Sequence, residues 1–325
     1  MTDENNNTFY LAFKDVHPSW FLIGCALPFG IISIFGIIFH FSVIFVTIRT
    51  KPFHGTINFL LALYSLFELI HQLGHFLFVY TAVSGQNFIE YRLAAKILFI
   101  PIFGLGGTVC SMFFTGIDRL IGLIFSEMHD KLTVHLYLAI VTMVSCLFGC
   151  FSSVSLYQDG QLHGNLMTTG SYVDIVQNLF LFDAMSFLFV TMTIIVYIFV
   201  GIAIRIKSTG LPSANSIIGR TFRALFWIVA VNVGGYMIGL CYFFLIRPYI
   251  SSPITAWFYN VIAAILLNIG SASNGPILYF TSTDYRLAFR KELKKVIKLF
   301  TKQNRVMPKH NTPILVVSTN KFLNN

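Results

Sequence analysis

Seven long apolar runs separated by short polar breaks make up most of the chain, at residues 20–48, 57–81, 93–125, 133–155, 174–204, 222–246 and 254–280. A helix needs about 20 apolar residues to cross the hydrocarbon core of a bilayer, so each run predicts one membrane-spanning helix. The breaks hold turn formers and charges, among them Arg49-Thr50-Lys51-Pro52, Ser84-Gly85-Gln86-Asn87, Asp159-Gly160-Gln161, Ser208-Thr209-Gly210-Leu211-Pro212 and Arg247-Pro248. The fold class that follows is an all-α membrane protein, a seven-transmembrane helix bundle over residues 20–281. Residues 1–19 form an N-terminal segment ahead of it.

After the seventh run the pattern changes. Ser282, Thr283 and Asp284 are helix caps, and Leu287, Leu293, Val296 and Ile297 alternate with Arg286, Arg290, Lys291, Lys294, Lys295 and Lys298. This predicts a short amphipathic basic helix over 282–300 lying along membrane lipid, with a disordered stop-transfer segment as the other reading. Residues 301–325 are polar, broken by proline, and read as a disordered cytoplasmic tail. Composition agrees with a bilayer as the main solvent: 56% of residues are hydrophobic, 11% are charged, and the mean hydropathy is +0.74. The net charge of +9 is concentrated just after the last span, which points to anionic inner-leaflet lipid and not to nucleic acid.

Lys and Arg are retained on the cytoplasmic side of membrane proteins. With the tail inside, 18 of the 22 basic residues fall on that side and only Lys14, Arg92, Lys96 and Arg247 fall outside. An extracellular N-terminus is therefore expected. The first 19 residues lack an apolar core or cleavage pattern, so the first span is expected to direct insertion itself. The sequon Asn6-Asn7-Thr8 makes Asn6 a candidate glycosylation site on the outer side. Cys25, Cys110, Cys146, Cys150 and Cys241 all lie in or beside spans, so no extracellular disulfide is assigned, and the i,i+4 pair Cys146/Cys150 reads as packing. With no Cys after Cys241, tail palmitoylation and prenylation are excluded.

Charges within apolar runs are the strongest functional leads. Asp118 and Arg119 stand side by side where the third run ends. An arginine held by its neighbouring acid in one state and released toward a partner in another makes a switch; a charge pair that only anchors the helix end is the alternative. Glu68 is the one acid of the second run, and the i, i+3, i+7 spacing puts Glu68, His71 and His75 on one helix face. A metal site there needs further ligands from another helix, and only scattered His40 and Asp183 are on offer. Structural or pocket-lining histidines are the preferred reading, so no metal and no cofactor are assigned. No HExxH, Gly-x-Ser-x-Gly or Walker sequence argues for an enzyme.

The order of these features, with Pro276-Ile277-Leu278-Tyr279 closing the seventh run, resembles the rhodopsin-like G-protein-coupled receptors. Gly116-Ile117-Asp118-Arg119-Leu120-Ile121 and Asn274-Gly275-Pro276-Ile277-Leu278-Tyr279-Phe280, the latter followed by Asp284-Tyr285-Arg286, are similar to the nematode serpentine chemoreceptors, most closely class SX, over residues 22–295. The resemblance implies a chemosensory receptor that binds a small-molecule ligand from outside, activates a heterotrimeric G protein and performs no chemistry. It further implies a plasma-membrane location, extending to the cilium of a sensory neuron. By the family pattern Asp118, Arg119, Tyr197, Asn274, Pro276 and Tyr279 form the activation and coupling set, with the Tyr197 and Tyr279 hydroxyls receiving the released Arg119. Pro276 breaks a helical hydrogen bond, Asn274 and Ser271 are placed to satisfy what it frees, and the kink is a hinge. His40, Glu68, Thr108 and Ser271 form a central polar network that holds sodium in many relatives. Glu for the usual Asp and His for the usual Asn leave both an ion site and a structural knot between helices open.

The same resemblance puts the ligand pocket between the outer halves of the helices, with His75, Phe78, Pro101, Leu105, Asp183, Tyr236, Trp257 and Tyr259 as its candidate lining. Pro101 stands where amine receptors carry an acid, and the seventh run has no lysine for a retinal Schiff base. An aromatic lining suits a small apolar or weakly polar molecule. The chain departs from the superfamily in lacking a cysteine near Ala94 and Ala95, a Trp in the fourth span and a Pro in the sixth, where Gly234-Gly235 must supply flexibility. A transporter or channel is the rival class, and would show repeated halves or a path of charges; Glu68 and Asp183 are essentially the only acids within the spans. A metal-dependent membrane enzyme built on His71 and His75 is the third reading.

Overall fold

The computed structural model describes residues 3–125, 134–176, 179–208 and 242–304, together with 227, 230, 231, 234, 235 and 237–239. The helices are α1 (Asp3–Phe13), α2 (Trp20–Arg49), α3 (Thr56–Leu73), α4 (His75–Val83), α5 (Tyr91–Ile97), α6 (Phe99–Ile124), α7 (Val134–Leu162), α8 (Tyr172–Val176), α9 (Phe180–Ser208), α10 (Pro253–Ala272), α11 (Asn274–Thr281) and α12 (Thr283–Asn304). The fold is a seven-transmembrane bundle, and six of its spans lie among the described residues, α3 and α4 together forming one. The sixth predicted run, 222–246, lies mostly outside them; its described positions are helical and close in a π turn at Tyr242–Ile246.

The centre of the bundle is α6, the most buried span, which packs against α3, α7 and α9. Small residues make this approach close. A Cβ added at Gly104 would lie 2.6 Å from the backbone nitrogen of His71, and one at Gly149 of α7 would lie 2.7 Å from the Phe103 carbonyl oxygen. The glycines therefore hold α3 and α7 against α6 and fix where their polar side chains meet. On α2 the faces separate cleanly: Ser33, Gly36, His40 and Val43 are buried, whereas Ile31, Ile34, Phe35, Ile38 and Phe41 point outward, as a lipid-facing helix requires.

Several boundaries differ from the hydropathy pattern. The second run breaks at Gly74, where an added Cβ would run into the Tyr172 ring, and the Tyr172 hydroxyl donates to the His71 carbonyl at 2.8 Å. That side-chain bond replaces one lost from the helix. The third run divides at Leu98 into α5 and α6. The fifth begins at α9, so Asp174 lies on the short α8 and not inside a span. A two-stranded antiparallel ribbon pairs Ile89 with Thr168 and Glu90 with Met167. Each departure depends on a partner far away in sequence, which local periodicity does not register.

Tyr285, Ala288 and Glu292 of α12 turn inward, while Leu287, Leu293 and Ile297 are exposed beside basic residues. The side chain of Val296 lies outside the described residues.

Candidate functional site

Toward the end of α6, Asp118 is buried and Arg119 is half-buried, its side chain 9% exposed, and their carboxylate and guanidinium are 3.9 Å apart. Arg119 Nε and one terminal nitrogen have no hydrogen-bond partner among the described residues, and neither do the Tyr137 hydroxyl of α7 and the Tyr197 hydroxyl of α9. Tyr137, Tyr197 and Tyr285 all lie within electrostatic reach of the guanidinium. Gly116, one turn earlier, admits the Tyr197 ring, which an added Cβ would approach to 2.8 Å. The arginine therefore sits in a cage of phenols whose bonds to it are not yet made.

Tyr279 is not in that cage. Its hydroxyl accepts from Arg290 Nε at 3.1 Å, and the Arg290 guanidinium lies 5.7 Å from its ring centroid. Tyr285 stands in its place because α11 ends at Thr281 and the Ser282 hydroxyl caps the Tyr285 amide at 3.4 Å. The Tyr285 ring stacks on Phe53 at 4.4 Å, and its hydroxyl donates to Asn58 at 3.1 Å and lies 3.3 Å from the Thr47 hydroxyl. Burial pushes this phenol up to about 12, so it remains protonated and a donor. The phrase Asp284-Tyr285-Arg286, an aromatic just inside a capped helix start, was the signal for it. Near Pro276, the Ser273 hydroxyl donates to the Gly270 carbonyl at 2.6 Å, while Ser271 is engaged elsewhere. Asn274 is buried at the start of α11.

Ser271 belongs to the polar centre. Glu68, 1% exposed, accepts from the Tyr64 hydroxyl at 3.2 Å and from the Ser271 hydroxyl, and His71 Nδ1 lies 3.2 Å from it. His40 is buried within electrostatic reach of Glu68, but neither of its ring nitrogens has a hydrogen-bond partner among the described residues. The imidazole bonded to Glu68 is thus His71, one helical turn away, and not His40. Thr108 is buried with its hydroxyl likewise unpartnered. Gln72 extends the network: Nε2 donates to Asn268 Oδ1 at 2.7 Å and to Ser271 Oγ at 3.3 Å, while Oε1 accepts from Ser33 at 2.9 Å. Among the described residues no three His, Cys, Asp or Glu side chains converge as a metal site.

Above this network lies a cavity of about 250 Å³. Of the residues expected to line it, His75, Leu105 and Asp183 do, joined by His71, Tyr172 and Asn268. Phe78 and Trp257 pack on one another, at 6.1 Å between ring centroids, outside the lining. Pro101 stands against Gly74, Tyr259 is 46% exposed, and Tyr236 lies outside the described residues.

The N-terminal end of the bundle is covered. Trp257 Nε1 donates to Asp174 at 2.5 Å, and its ring lies 4.6 Å from that of Phe9 on α1. The other Asp174 oxygen accepts from Thr168 Oγ1 at 3.0 Å, Thr169 N at 2.8 Å and Thr169 Oγ1 at 2.7 Å. Neither α1 nor this use of Asp174 has a periodic sequence signal. Asn6 falls on α1, and its side chain lies outside the described residues.

The family model described as serpentine type 7TM GPCR chemoreceptor Srsx matches residues 33–293. No curated protein matches the chain.

Proposed function

Because the chain belongs to the serpentine seven-transmembrane chemoreceptor family, we propose that it binds a small extracellular molecule in the cavity beside His75 and activates a heterotrimeric G protein at the Arg119 end. One observation carries this reading: α6 lines the cavity with Leu105 and Val109 and carries the Asp118–Arg119 pair near its other end. A shift of that helix caused by a ligand changes the arginine's surroundings directly. Release of Arg119 from Asp118 toward Tyr137, Tyr197 or a bound partner is the switching step, with Tyr285 coupling α12 to it.

In this reading the chain is a multi-pass membrane protein of the plasma membrane, including a sensory cilium, with its N-terminus outside. The exposed Leu287, Leu293 and Ile297, flanked by basic residues, rest α12 on anionic inner-leaflet lipid. The Glu68 network works as a hydrogen-bonded knot between α3 and α10. Ligand-evoked nucleotide exchange on an added G protein, measured beside ion flux in the same vesicles, tests the receptor against the transporter. Exchange without flux is the expected result, and flux without exchange overturns it.

A further inference from the structure

Three residues lining the cavity, His75, Ser186 and Asn268, each keep a buried polar atom without a hydrogen-bond partner among the described residues: Nε2, Oγ and Nδ2 respectively. The rest of the lining is mainly apolar, including Phe29, Leu105, Val109 and Phe182. Buried donors and acceptors are normally satisfied, so a cluster of unpartnered ones around one cavity marks where a ligand supplies the missing bonds.

The hydrogen-bond chain beneath the cavity determines which bond Asn268 has left to make. The single Ser271 hydroxyl proton is directed at Glu68, so toward Gln72 that oxygen only accepts. Gln72 must present its amide nitrogen there, and does so at 3.3 Å. The same nitrogen meets Asn268 at 2.7 Å, which obliges Asn268 to offer its oxygen. The Asn268 amide nitrogen, a donor only, is left over. Ser33, donating to Gln72 Oε1 at 2.9 Å, holds the glutamine in the same orientation.

We propose that the ligand is a compact, largely apolar molecule carrying a hydrogen-bond acceptor of the carbonyl class, received by the Asn268 amide and assisted by the Ser186 hydroxyl. This deepens the receptor reading and rests on it for the location of the site. The Glu68–Ser271–Gln72 relay acts as a positioning device: it keeps Asn268 turned so that its donor remains free for the ligand. Asp183 also lines the cavity, which makes amines the competing class.

The test uses purified full-length receptor in lipid nanodiscs and a panel of ketones, esters and lactones, each matched to the alkane and the primary alkylamine of the same skeleton. Binding is read as concentration-dependent thermal stabilisation, separately from nucleotide exchange on an added G protein. Carbonyl members are expected to bind at least about tenfold more tightly than their matched alkanes, the preference that an otherwise unsatisfied buried donor imposes. Asn268→Asp, which exchanges the donor for an acceptor of the same shape, should remove that preference. Ser186→Ala, a milder change on another helix, should reduce the preference for carbonyls over their matched alkanes, and so serves if the first variant fails to fold.

Equal binding of carbonyls and alkanes, no binding by any member, or a preference for amines that Asp183→Asn abolishes would each overturn the ligand assignment. Carbonyl binding that never evokes exchange would leave the ligand class standing and count against the receptor reading instead.

Discussion

Two clusters, one at each end of the bundle, treat their buried polar groups in opposite ways. At the N-terminal end the Asp174 carboxylate is saturated by Trp257, Thr168 and Thr169, and Phe9, Phe78 and Trp257 close an aromatic cluster over it. At the basic end Arg119, Tyr137 and Tyr197 keep buried atoms without hydrogen-bond partners among the described residues. An unsatisfied buried polar group costs about 1–3 kcal/mol. The Asp174 cluster thus gains no bond by moving, whereas a rearrangement or partner that completes the arginine's bonds at the basic end is favoured by several such terms. The asymmetry makes the Asp174 cluster the rigid part of the proposed receptor and the Arg119 cluster the responsive one.

The largest expected effect breaks the comparison at its responsive end. Arg119→Ala should reduce G-protein nucleotide exchange to baseline while surface expression and ligand binding remain near wild type. Asp118→Asn, which weakens the hold on the arginine, should raise basal exchange. Normal stimulated exchange by a well-expressed Arg119→Ala receptor would remove the arginine from the mechanism.

Changes at the cap should act on stability instead. Trp257→Ala deletes a fully buried ring and should cost about 3–5 kcal/mol, and Asp174→Ala, which strands the donors of Trp257 and Thr169, should cost about 1–3 kcal/mol. Thermal unfolding in detergent measures both. Lost signalling with unchanged melting would show that the cap takes part in switching.

Between the ends, the polar centre should behave as one unit only where bonds exist. A double-mutant cycle of Glu68→Gln with Ser271→Ala should show coupling of about 1 kcal/mol in stability. The cycle of Glu68 with His40 should be smaller, since no hydrogen bond joins them. The reverse order would mean that His40 is the true partner of the carboxylate.

The smallest effect concerns α12. The hydrogen bond from Lys295 at 2.5 Å, helped by the charges of Lys295 and Arg49, holds the Glu292 carboxylate below its ordinary range. A depressed folded-state value means that this contribution is present above the ordinary glutamate pKa of about 4.3 and is lost as pH falls through the lower folded value. Glu292→Gln should therefore slightly lower the melting temperature at neutral pH and flatten its acid dependence below about pH 4. An unchanged acid profile in the variant would show that the carboxylate adds nothing to docking.

Hydropathy made the spans legible because length and apolar continuity are what the bilayer demands of them. The charged pair at 118–119 was legible for the complementary reason, that two charges in such a run are conspicuous. What escaped was set by distant contacts: the break at Gly74 depends on Tyr172, α1 on Trp257, and the place of Tyr285 on where α11 stops. Glu68 and His71 do share a face of α3, and the His75 ring lies 5.2 Å from that of His71 across the break at Gly74, yet spacing alone does not tell a hydrogen-bond partner from a metal ligand. Among the described residues Glu68 accepts from Ser271 across helices, a partner that spacing within one run does not reveal. In the cavity, His75, Leu105 and Asp183 were legible by position, whereas Trp257 was drawn out of the lining by Asp174, a residue the apolar pattern had put inside a span.

Hydrogen–deuterium exchange of the purified receptor, with and without a nucleotide-free G protein, tests the division between the two ends most directly. The account predicts that the partner alters exchange in the turn of α6 that carries Arg119 and in the first turn of α12, while residues 167–176 and the first turns of α10 keep their protection. A change confined to the cap, with the Arg119 turn unaffected, would contradict it.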